Sequence, residues 1–77
     1  MPTPTAPNLL AEVRAEMGRK GFTAGRLAAA SDINPATLSR RLAERSPLTV
    51  PELLRICDAL GVSLETLAAR AEAVSAA

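Results

Sequence analysis

The stretch Phe22–Leu42, FTAGRLAAASDINPATLSRRL, decides how this chain folds. Thr23 and Asn34 each place a side-chain oxygen just ahead of a run that can be helical. Such residues satisfy the orphan N–H groups of a first helical turn. Pro35 follows at the first helical position, where a fixed φ helps and a missing N–H costs nothing. The spacing therefore predicts one helix capped by Thr23 and running to about Ser31, and a tight turn containing Asp32. A second helix, capped by Asn34, begins with Pro35. Small residues in the first helix and paired arginines on the second complete a helix-turn-helix pattern.

The same punctuation extends outward. Asn8 is expected to cap a first helix to about Arg19, with Leu10, Val13 and Met17 on one apolar stripe, Leu9 at its margin, and Gly18 and Gly21 ending it. Thr49 and Glu52 have the spacing of a reciprocal capping box, Pro51 falls in the first turn, and Gly61 stops a fourth helix after Leu60. Ser63 caps a fifth helix ending in the alanine-rich tail. A hydrophobic residue before each of the last four caps matches one at the fourth helical position: Phe22/Leu27, Ile33/Leu38, Leu48/Leu53 and Val62/Leu67. The expected fold is an all-α, compact five-helix bundle. It divides into a Pro/Thr-rich arm at 1–7, a helical domain at 8–73 and a tail at 74–77.

Composition narrows the function classes. The chain has 77 residues, 48% of them hydrophobic, with Phe22 the only aromatic. That is one small domain with a light core, for which caps and short loops matter. With no His and one Cys, the chain has neither a disulfide framework nor a Cys/His zinc site of its own. No metal, cofactor or small-molecule ligand is expected. Neither a nucleophile–base pair nor a phosphate-cradling glycine loop is present, so an enzyme is not expected. Cys57, between Ile56 and Leu60, reads as a small buried hydrophobe. No membrane-spanning run or signal peptide is visible, and a cytoplasmic location is the expectation.

The net charge of +1 hides a division. Arg19, Lys20, Arg26, Arg40, Arg41 and Arg45 face only Asp32 and Glu44 between positions 19 and 45, a net of +4; the rest of the chain carries −3. A basic segment on a balanced protein is an electrostatic footprint for phosphates, although an ordinary solvated surface gives the same pattern. If Leu38 and Leu42 face the core, then Pro35, Ala36, Ser39 and Arg40 lie on the outer side of the third helix. Small residues there let the backbone approach a major-groove floor, and Arg40 is long enough for a guanine edge. Lys20, Thr23, Arg26, Arg41 and Arg45 are the candidate phosphate contacts. Asn34 has two uses, helix cap and DNA contact, of which the cap is favoured.

These residues resemble the Cro and lambda-repressor family of helix-turn-helix domains. The pieces that carry the resemblance are Leu27-Ala28, Ile33, Thr37-Leu38-Ser39-Arg40, Glu52-Leu53, Ile56, Ala59-Leu60-Gly61-Val62 and Leu67, in order from about Leu10 onward. The resemblance implies a five-helix bundle that binds double-stranded DNA, usually as a dimer, with base readout at Pro35, Ala36, Ser39 and Arg40. It departs from the family pattern at four places. Asp32 stands where the turn commonly has glycine, Ala24 where a glutamine grips phosphate, and Arg41 where an apolar residue is usual. Met17 and Leu42 stand where many members carry an Arg–Glu pair, so a dry contact is expected in its place.

The leading expectation is a sequence-specific transcriptional regulator, a small phage Cro-like repressor being the most economical version. Alternatives are a bacterial regulator, an antitoxin component, the DNA-binding domain of a longer repressor, or a protein-interaction module. The expected homodimer surface is apolar: Leu64, Leu67, Ala71 and Val74 on the fifth helix and tail.

Overall fold

A computed structural model describes the backbone of residues 6–43 and 46–76; side chains are described for 9–43 and 46–73. Five helices follow one another: α1 Ala6–Lys20, α2 Ala24–Ser31, α3 Pro35–Leu42, α4 Val50–Leu60 and α5 Leu64–Ala76. No strand occurs among the described residues.

Side chains build the helix starts where the sequence placed them. The Thr23 hydroxyl accepts from the Arg26 N–H at 3.1 Å, and Asn34 Oδ1 accepts from Ala36 at 2.9 Å and Thr37 at 3.3 Å. The Thr49–Glu52 capping box is complete in both directions, and Ser63 Oγ accepts from Thr66 N–H at 3.0 Å. One start differs: α1 begins at Ala6, so Asn8 lies inside the helix rather than capping it, and the expected arm loses Ala6 and Pro7. Pro7 explains the shift, since its fixed φ suits a first turn.

Three helix ends share one device. Gly21, Asp32 and Gly61 all adopt positive φ, at 69°, 56° and 68°. The next residue then donates back into its helix: Phe22 to Met17 O, Ile33 to Ala28 O and Val62 to Cys57 O. This is the left-handed helix stop that glycine adopts without strain. Asp32 uses it with a Cβ present, the less favourable choice. Asp32→Gly is accordingly expected to raise the unfolding free energy by about 0.5 kcal/mol, the relief of left-handed strain less the entropy glycine adds to the unfolded chain. Chemical denaturation measures it; a destabilised Asp32→Gly variant would contradict the strain account.

The apolar faces meet in one core. Val13 and Met17 of α1 meet Leu27 and Ala28 of α2 there, Leu38 enters from α3, and Leu53, Ile56, Cys57 and Leu60 line it from α4. Leu67 and Ala71 of α5 are fully buried. All eight residues of the four expected apolar pairs belong to this cluster or pack against it. Met17 is buried and Leu42 half-buried on the same cluster. Helix α1 packs on α5 and α4, α2 packs on α4 and α3, and α4 also touches α5. Burial of Leu67 and Ala71 corrects the expected dimer surface: the apolar stripe of α5 is spent against α1, where a 77-residue bundle needs it. Leu64 is half-buried against the core, and the Val74 side chain lies outside the described residues.

Candidate nucleic-acid interface

The α2–turn–α3 unit presents one outward face. Leu38 is fully buried and turns the opposite side of α3 to solvent, where Pro35, Ala36, Ser39 and Arg40 are all exposed. Ala36, Ser39, Arg40 and Ala43 follow one another at three- and four-residue spacing along that face. Arg40 has no hydrogen-bond or ion-pair partner among the described residues. With Asn34 Oδ1 committed to the cap, its amide nitrogen is the group left to face outward. Beside this face, Arg26 is exposed and stacks over the Phe22 ring, its guanidinium carbon 4.5 Å from the centroid. The stack restrains a long cation next to the N–H groups at the start of α2. Thr23 is exposed there too, its oxygen accepting from backbone and its hydroxyl proton available to donate.

Two of the expected phosphate cations are engaged elsewhere. Lys20 Nζ lies 3.2 Å from Glu16 Oε2 and donates to the Leu60 carbonyl at the end of α4. Arg41 donates from Nε to Glu52 Oε1 at 2.9 Å, from Nη2 to Glu52 Oε2 at 3.3 Å and from Nη1 to Ser46 Oγ. Its fork is filled from inside the protein, so Arg41 does not present a free guanidinium to a phosphate. Arg45 lies outside the described residues. The basic segment is therefore thinner than its charge count implies: among the described residues, Arg26 and Arg40 are its cations without an ion-pair partner, while Arg19 and Lys20 are exposed but paired with Glu16.

Sequence reasoning missed the two acids that neutralise these cations. Glu16 is buried, yet it accepts from Arg19 at 2.8 Å and Arg70 at 3.0 Å besides facing Lys20. Arg19 and Lys20 lie three and four residues on, a helical spacing that could have flagged them. Arg70 on α5 carries no such signal. Arg19, then Lys20 and Arg70, hold the Glu16 carboxyl at about 2 against an ordinary 4.5. Arg41 and the Thr49 N–H bring Glu52 to about 2 as well. Burial pushes the Cys57 thiol up, with Asp58 adding to it, as befits an inert core thiol.

Both acids are more acidic folded than unfolded, so their contribution is complete above the unfolded value and disappears as pH falls toward the folded one. Stability is expected to be level in its carboxylate contribution above about pH 5 and to fall between about pH 4.5 and 2. Urea unfolding across that range measures it. Glu16→Gln and Glu52→Gln should each flatten the slope, and an unchanged slope in the double variant would contradict the assignment.

Five helices carrying a capped turn, a buried leucine behind α3 and an exposed polar and small-residue face in front define a helix-turn-helix DNA-binding domain. The chain belongs to the Cro/C1-type helix-turn-helix DNA-binding domain family, whose model matches residues 12–71. Among solved structures it is similar to the clp gene regulator ClgR from Corynebacterium glutamicum. One structure of that regulator superposes with a TM-score of 0.82 at 32% identity, covering 97% of this chain and 81% of that one. A second gives 0.78 at 32% identity, with 94% of each chain covered. No curated protein matches. No described helix is long and apolar enough to cross a membrane.

Proposed function

We propose that the protein is a sequence-specific transcriptional regulator that reads the major groove with the exposed face of α3. The observation that carries this reading is the placement of Arg40, outward and without a hydrogen-bond or ion-pair partner among the described residues, one turn beyond the small residues Pro35 and Ala36. Arg40 reads a base edge, Ser39 hydrogen-bonds beside it, and Pro35 and Ala36 give clearance or meet a thymine methyl. Thr23, Arg26 and the first N–H groups of α2 hold phosphate, and the Asn34 amide nitrogen adds a contact at the turn.

Similarity to a bacterial gene regulator over nearly all of both chains favours a cellular regulator over the phage Cro-like version. Binding as a dimer belongs to the same reading. With Leu67 and Ala71 in the core, the large apolar side chains left exposed for a second copy among the described residues are Val50 and Leu54 of α4. Selection of sites from a random duplex pool tests the proposal. It is expected to return a motif with two related half-sites about one helical turn apart. A pool that stays random would defeat sequence-specific reading, and a single unrepeated half-site would defeat the dimer.

A further inference from the structure

The recognition helix α3 has eight residues and packs chiefly on α2. Its first turn is fixed by the Asn34 cap and by Ile33 in the core. Its last turn is fastened differently, by two arginines. Arg14 of α1 donates from Nη2 to the Leu42 carbonyl at 2.8 Å, ending the helix on a cation. Arg41, on α3 itself, is bonded through all three guanidinium nitrogens to Glu52 and Ser46. Glu52 is itself fixed, because its Oε1 accepts from the Thr49 N–H in the capping box of α4. The cation-on-carbonyl device recurs where Lys20 meets Leu60 at the end of α4.

We propose that Arg41 and Arg14 are positioning residues for DNA reading. Together they clamp the C-terminal end of α3 to α4 and α1, and so set the direction in which Arg40 leaves the helix. Arg40 precedes Arg41 in the chain, so a small rotation of this turn carries the Arg40 tip off a base edge. Bidentate recognition tolerates only about 0.5 Å and 10–20° of such error. Phosphate attraction, being longer-ranged and weakly directional, survives it. The geometry of the clamp therefore governs discrimination between sequences, while non-specific affinity follows only the net charge of its members. The inference rests on the DNA-reading role proposed above.

The test uses Arg41→Met, which keeps an apolar stem, Glu52→Gln, which can still complete the capping box, and Arg14→Met. Each is titrated with the duplex selected by the parent protein and with a scrambled duplex, over a range of salt. Arg41→Met and Glu52→Gln are expected to lose about tenfold in preference for the selected duplex, with Arg14→Met in the same direction. For Arg41→Met the scrambled-duplex affinity should fall only by the screened loss of one distant cation, well short of the loss on the selected duplex, and the salt slope should stay at its parental value. Glu52→Gln is the sharper arm: removing an acid strengthens non-specific binding on charge grounds alone, so a simultaneous loss of preference marks positioning. Equal loss on both duplexes in Arg41→Met, with a salt slope lower by about one, would make Arg41 a phosphate contact and overturn the proposal. Retained preference in all three variants would overturn it too.

Amide exchange without DNA separates this proposal from the DNA reading. Exchange at Leu42 and Ala43 should quicken in Arg41→Met and Arg14→Met while Leu27 in α2 is unchanged. Unchanged exchange at Leu42 and Ala43 overturns the clamp whatever the DNA result. Absence of any sequence preference in the parent protein overturns the DNA reading instead.

Discussion

Leu38→Ala is expected to lower the unfolding free energy by about 2–5 kcal/mol, the range for truncating a fully buried leucine. Leu38 is 0% exposed and among the largest fully buried side chains. It is also the described residue by which α3 enters the core, since Ala36, Ser39 and Arg40 point outward and Leu42 is only half-buried. A cavity there has little to collapse into it, because α3 packs chiefly on α2. For a domain of this size each kcal/mol moves the melting temperature by about 4–8 °C, so a fall of about 10 °C or more should appear in a circular-dichroism melt. Leu54→Ala, compared with the parent at a concentration where the chain is monomeric, is the control. Its side chain is 51% exposed, and the change should stay within about 0.5 kcal/mol of the parent. A parental melting temperature for Leu38→Ala would mean that α3 is not docked through this leucine.

Arg40→Ala is expected to leave the melting temperature unchanged and to remove about 1–3 kcal/mol of preference at one base position of the selected site. Its side chain is exposed and makes no hydrogen bond or ion pair among the described residues, so its loss should cost the fold little. Arg26→Ala should behave in the opposite way. A phosphate contact weakens all sequences alike and lowers the salt slope by about one. Competition titrations with single-base variants of the selected duplex distinguish the two. Uniform weakening by Arg40→Ala would demote it to a phosphate contact and leave the sequence preference unexplained.

The fold was largely legible because its signals are local. A cap, a proline or a glycine acts within four residues, and the apolar pairs flanking each cap repeat at fixed spacing, so Thr23, Asn34, Thr49, Ser63 and Gly61 could be placed without tertiary knowledge. The start of α1 was misread because Asn8 and Pro7 are both good starting residues, and the proline's fixed φ prevailed. The exposed face of α3 followed from helical periodicity once Leu38 was assigned inward. What the sequence concealed was the pairing of charges across helices. Arg41 with Glu52, and Arg70 with Glu16, are separated by 11 and 54 positions. Counting charges along a segment treats each cation as free, and for Lys20 and Arg41 the fold had already assigned a partner. The apolar stripe expected on α5 for a second copy loses Leu67 and Ala71 for a related reason. An apolar stripe on a terminal helix looks unpartnered until the helix it covers is known, and here α1 takes Leu67 and Ala71.

On the proposed reading, α3 discriminates between sequences rather than merely touching DNA. Equilibrium titration of the parent protein with its selected duplex and with a scrambled duplex of equal length, repeated from low to physiological salt, tests it most directly. Both affinities are expected to fall as salt rises while the selected duplex stays preferred by about 10³-fold or more at physiological salt. Two curves that coincide at every salt concentration would contradict it.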